Sequence, residues 1–308
     1  IDKIGKSSLG VAMLSAIIIL GLGQVRRKGK RREMTMYVSS AAERVRAAVR
    51  AQDPARYHCA LFAPAPARAG LFAMIGFHHE LANALSRSSE PMLARIRLTW
   101  WREALDEIAE GRPRRHDMVE ALAAGLDGPL IDAPLRAMID AREAEIEAPP
   151  PADLAAYRAG VAATAETLAA AMLDHLRVTD PVARAAACRA ATAFGMVGRL
   201  GAFAHHAARG ENILPANLLA AEGIAVADGC KGPGLSAVGR AVLDAAEAEL
   251  TAAGGFGRAG RPVGLLAVLA ARHIKRLRAV AGDPLDPRAH APDPWAIWAL
   301  SWRAWRVR

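Results

Sequence analysis

An all-helical bundle is the fold class this sequence predicts, and three observations carry the prediction. Ala, Leu and Arg dominate a chain of 308 residues that is 53% hydrophobic but only 5% aromatic, a composition favouring helix over sheet. Apolar residues recur at helical spacing almost everywhere after Ser39, and alternating β-branched runs are nearly absent. Proline and glycine break this pattern into segments whose loops are short beside the helices, and no repeat of about 20–50 residues interrupts it.

The first 36 residues form a separate region, and 37–308 read as one helical domain. Leu9 to Val25 is uncharged and mostly apolar, and Arg26, Arg27, Lys28, Lys30, Arg31 and Arg32 follow it. About 17 residues is the lower limit for spanning a bilayer, and the basic cluster would hold the following domain on the cytoplasmic side. The competing reading is a non-native extension, with Met34 or Met36 as the natural start. Residues 1–33 carry eight Lys and Arg against two acids, so 32 basic and 29 acidic residues remain in the body. A body so near neutrality has no electrostatic footprint for a nucleic acid. Three widely spaced cysteines, Cys59, Cys188 and Cys230, fit free thiols in a reducing compartment and no zinc pattern.

Within the body, the spacing predicts helices over 40–51, 67–87, 91–110, 115–124, 132–147, 152–176, 181–209, 215–222, 235–252, 262–280 and 293–306. Asp180-Pro181 joins a capping side chain to a first-turn proline, and Ser88-Ser89-Glu90-Pro91 offers a similar start. Gly111 and Gly223 stand where a helix C-terminus needs a left-handed residue. Trp295, Trp298, Trp302 and Trp305 fall on one stripe of the last helix. Packing against the bundle is the expectation for that stripe. Interleaving with Arg303 and Arg306 suits a membrane interface as the alternative.

Two segments concentrate the polar residues that could do chemistry. The first is 71–83, Leu-Phe-Ala-Met-Ile-Gly-Phe-His-His-Glu-Leu-Ala-Asn, followed by Arg97-Leu98-Thr99-Trp100-Trp101-Arg102. The second is 198–215, running from Gly198-Arg199 through His205-His206 and Arg209-Gly210 to Leu214-Pro215. In order, separation and flanking residues these segments resemble the motifs of the squalene/phytoene synthase family of head-to-head prenyl synthases. The resemblance implies an isoprenoid-synthase-type bundle around a central apolar cavity. In that family two helices each present carboxylates at i and i+4, and these hold magnesium ions that ionise a prenyl diphosphate.

Transferred onto this chain, the aspartate positions fall on His79, Glu80 and Asn83 in the first motif, and on Ala202 and His206, with His205 between, in the second. Only Glu80 is a carboxylate, so magnesium is expected only if the chain is an active prenyl transferase. The resemblance further implies that His79, Asn83 and His206 share one cavity wall, with Leu71, Phe72, Ile75 and Phe203 around it. Imidazole there suits a transition metal on His79 and His206, against the plainer reading of hydrogen-bonded core histidines. Arg199 and Arg209 become candidates for an anionic head group. His79-Glu80-Leu81-Ala82-Asn83 is one residue short of a zincin helix and lacks the second histidine that chemistry needs.

The Trp-rich helix after Ser89-Glu90-Pro91 resembles a divergent branch of the same superfamily that includes a mitochondrial assembly factor for respiratory complex I. The resemblance therefore implies a non-catalytic binding or assembly factor for a respiratory membrane complex. Its expected partners are a complex subunit and a prenyl or quinone-like lipid. Its expected location is the cytoplasm or the cytoplasmic face of the inner membrane, which is the matrix side in an organelle. The alternative is an active phytoene- or squalene-type prenyl transferase.

Overall fold

A computed structural model describes residues 40–86, 90–225, 232 and 234–307, and 74% of these are helical with no strand among them. The apolar leader, and with it the question of an N-terminal anchor, lies outside the described residues. Among the described residues no helix is long and apolar enough to cross a membrane.

Helix α1 covers 40–52 and buries Ala41, Val45 and Val49, one face at a spacing of four. The Asp53 N–H closes it on the Val49 carbonyl at 2.8 Å, and Asp53 then caps α2, Pro54–Ala60, whose first residue is proline. Helix α3, Arg68–Ser86, is the centre of the N-terminal half. All eight residues from Leu71 to His78 are buried, so this stretch is enclosed around its whole circumference. Glycine permits the enclosure where backbones nearly touch. A Cβ added to Gly70 would stand 2.5 Å from the carbonyl oxygen of Gly125, at the end of α5, Asp117–Gly125. Around α3 lie α4, Pro91–Ala109, then α5 and α7, Ala133–Glu143, while the short α6, Gly128–Ile131, packs on α4 and α7.

The second half is built on α9, Pro181–Gly201, which turns a face of six alanines inward and so lets α8, Leu154–His175, pack closely. Helices α12, Leu235–Ala253, and α14, Leu266–Ala279, cover its other sides. Single-turn helices α10, Phe203–Ala207, α11, Ala216–Ala221, and α13, Arg261–Gly264, join these, and α15, Ala296–Arg306, ends the chain on α14. One core cluster runs from Val45 to Val307, joining both halves through α3, α8 and α9.

Several expected signals hold. Asp180 accepts from the Val182 N–H at 3.1 Å, Pro91 opens α4, and Gly111 and Gly223 have φ of +73° and +65° beyond their helices. Three expectations change. Helix 181–209 stops at Gly201 and resumes at Phe203, with Ala202 between. Gly195, Gly198 and Gly201 weaken its last turns, each costing about 1 kcal/mol of helix propensity against alanine. Helix 262–280 likewise breaks at Leu265. The tryptophan stripe does not pack: Trp295, Trp298, Trp302 and Trp305 are 65%, 72%, 60% and 77% exposed. The face that docks α15 is Leu300, Ala304 and Val307, on the opposite side of the helix.

Candidate functional site

His79 of the first motif, with its neighbour His78, belongs to a charged network where α2, α3, α7, α8 and α9 meet. It starts at buried Asp53. The Asp53 carboxylate accepts from the Arg56 backbone N–H at 2.9 Å and from Arg56 Nη1 at 2.7 Å, and His79 Nε2 lies 3.4 Å from its second oxygen. Burial alone would raise the Asp53 pKa, but the Arg56 guanidinium, the His79 ring and the Arg56 N–H outweigh it and hold the carboxyl well below the usual range. Arg56 also lies over the Phe194 ring of α9, 5.1 Å from its centroid.

Next to His79, buried His78 receives a hydrogen bond from Arg142 Nη2 on α7 at 3.1 Å. Because guanidinium can only donate, His78 Nε2 is unprotonated and the ring proton sits on Nδ1. Burial first, then Arg142 and Arg56, push the His78 pKa well below its ordinary value. Arg142 continues to Glu145 at 2.7 Å, and its buried Nε has no hydrogen-bond partner. Arg199 of α9 stands 4.0 Å from Glu145 and over the Tyr157 ring, whose hydroxyl donates to the Met196 carbonyl at 2.8 Å. Three guanidiniums thus face two carboxylates.

Glu80 and Asn83 turn elsewhere. With Ala84, Arg97, Trp100, Trp101 and His116 they line a cavity of about 300 Å³ between α3 and α4. Trp100, Trp101 and His116 meet edge to face with centroids 4.7 to 5.5 Å apart, and Arg114 covers Trp100 at 4.7 Å. Arg97 is fixed by donation to the Ala84 carbonyl at 3.2 Å.

At the second motif position, Ala202 ends α9 and His205 is exposed. His206 Nδ1 lies 2.6 Å from Glu211, which also binds Arg209 at 2.9 Å. The two motif histidines are therefore held by different carboxylates, His79 by Asp53 and His206 by Glu211. Leu71, Phe72, Ile75 and Phe203 are core residues, and none of them lines the cavity beside Glu80. Among the described residues no group of three or more His, Cys, Asp or Glu could hold a metal. The five motif positions offer one carboxylate between them, and it shares its cavity with Arg97. This donor set does not fit magnesium, which needs hard oxygen ligands.

Asp53, Arg56 and Arg142 escaped the sequence reading. Asp53-Pro54 carries the same start signal as Asp180-Pro181, and reading it would have revealed α2 and its two charged residues.

The fold and the sequence have recognisable relatives. A dehydrosqualene synthase crystal structure superposes with a TM-score of 0.73 at 13% identity, covering 88% of this chain and 97% of that one. A squalene synthase from Alicyclobacillus acidocaldarius gives a TM-score of 0.67 at 15% identity, covering 80% and 97%. By sequence, the chain is 26% identical over 266 residues to NADH dehydrogenase (ubiquinone) complex I, assembly factor 6, of Bos taurus, covering 83% of this chain and 80% of that protein. The Homo sapiens counterpart is 25% identical over 181 residues, 58% of this chain and 54% of its own length. The family model described as squalene/phytoene synthase matches residues 49–304, and the chain belongs to that family.

Proposed function

We propose that this chain is a non-catalytic member of its family that acts by binding in the biogenesis of a respiratory membrane complex. The observation that carries the reading is the replacement chemistry at the first motif: His79 is tied to buried Asp53, and Arg56 and Arg142 crowd the same wall. The Arg56 and Arg142 guanidiniums beside this motif repel the divalent cation that ionisation of a diphosphate requires. The two relatives named as complex I assembly factors support the same reading. Its place of work is the inner face of the energy-transducing membrane, cytoplasmic in a bacterium and matrix in an organelle. The cavity beside Glu80, at the low end of the roughly 300–1,000 Å³ of small-molecule sites, suits a quinone-sized ring against the tryptophans.

Two measurements test the proposal together. Purified protein given farnesyl or geranylgeranyl diphosphate, magnesium and reductant releases no diphosphate above background. Deleting the gene lowers assembled complex I in native gels of host membranes, and an ectopic copy restores it. Protein-dependent turnover abolished by EDTA would establish the prenyl transferase alternative instead.

A further inference from the structure

The exposed face of α15 is unusual for its composition as well as its exposure. With the N-cap Trp295 it holds four of the six tryptophans of the chain, and residues 295–308 contain three arginines and no acid. Arg306 lies over Trp302 at 5.4 Å, and the Trp302 and Trp305 rings are 5.8 Å apart, so these two rings form one aromatic surface with a cation upon it. The surroundings add positive charge. Arg303 stacks on Phe256, and Arg261 donates to the Val307 carbonyl at 2.6 Å, its pKa lowered first by burial and then by nearby Arg258. At the other end Asp293 is matched by both Arg272 and Arg276.

We infer that this face docks the protein on a bilayer bearing anionic lipid headgroups. Tryptophan pairs an apolar ring with a polar N–H and belongs at the boundary of headgroup and acyl chain, while arginine meets lipid phosphate at the same depth. A second exposed apolar patch among the described residues, Met92, Leu93 and Ile96 on α4, stands beside an Arg95–Glu147 pair and has no such charge bias. Leu300, Ala304 and Val307 hold the opposite side of α15 to the core, so the helix lies in the interface plane without leaving the fold.

The test uses the full chain with vesicles of phosphatidylcholine alone or mixed with phosphatidylglycerol. Anionic vesicles shift tryptophan emission to the blue, and brominated lipids quench it. Two rim arginines favour the anionic vesicles by about 30-fold at low salt, and raising the salt erodes the preference. Replacing Trp298, Trp302 and Trp305 by alanine weakens binding about tenfold or more with an unchanged circular dichroism spectrum. Vesicle binding that leaves emission and quenching unchanged would assign attachment to the leader and overturn the inference. So would indifference to vesicles with self-association lost in the alanine variant, which would make the face a contact between copies. Neither failure bears on the complex-biogenesis reading, whose readout is the assembled complex.

Discussion

Replacing Asp53 perturbs two jobs of one side chain, and they can be separated. Its carboxylate caps α2 through the Arg56 N–H, and it balances an Arg56 guanidinium whose side chain is only 13% exposed, against 7% for Asp53 itself. Asp53→Asn keeps a good capping residue but leaves Arg56 without its counter-ion, at a cost of about 3 kcal/mol. Asp53→Ala loses the cap as well, adding about 1 kcal/mol. Against a typical stability of about 5–15 kcal/mol, either loss is large. Adding Arg56→Met to Asp53→Asn removes the orphaned charge and recovers much of the deficit, as expected for a buried pair replaced whole. Urea unfolding followed by circular dichroism at neutral pH gives all four stabilities. Because the folded-state pKa is depressed, this contribution is present above the ordinary carboxylate pKa of about 4 and lost as pH falls below it. An Asp53→Ala protein within about 0.5 kcal/mol of the wild type, or a double variant weaker than Asp53→Asn, would refute the reasoning.

Three further outcomes are expected. His273 has its pKa lowered from 6.5 to about 4, first by burial and then by Arg276 and His290, so stability falls as pH drops through that window; His273→Gln flattens this limb by roughly 3 kcal/mol in pH-dependent melts. Gly70→Ala pushes a methyl against the Gly125 carbonyl and costs about 1–3 kcal/mol in urea titrations, whereas Gly128→Ala, with nothing within 4 Å, is nearly neutral. Native mass spectrometry of protein given a short-chain quinone detects a bound adduct that Trp101→Ala abolishes, and equal adducts on both proteins would place the ligand outside the cavity beside Glu80.

The sequence announced elements best where a proline start or glycine stop framed a long periodic run, as at Asp180-Pro181 and Gly111. It concealed α2, because seven residues are too few for a helical period to stand out from the neighbouring loops. The same omission hid half the charged network. His79 meets Asp53 across 26 residues and His78 meets Arg142 across 64, and spacing along the chain carries no trace of such contacts. Periodicity located the tryptophan stripe but not its orientation. Size argued for burial, yet the small face of Leu300 and Ala304 fits α14 more closely, and the large rings were left outside.

Helix α3 joins two stretches with different freedoms. From Leu71 to His78 every side chain is enclosed, while His79, Glu80 and Asn83 are only half-buried and can exchange functional groups without opening a void in the centre. Restoring an aspartate at 79 would bring a second carboxylate toward Asp53, whose charge Arg56 now stabilises. Two like charges at that range disfavour one another's ionisation, and the excess of guanidiniums in the network opposes that effect. The ionisation of a carboxylate at 79 would thus be decided by Asp53 and the neighbouring guanidiniums together, and not by position 79 alone.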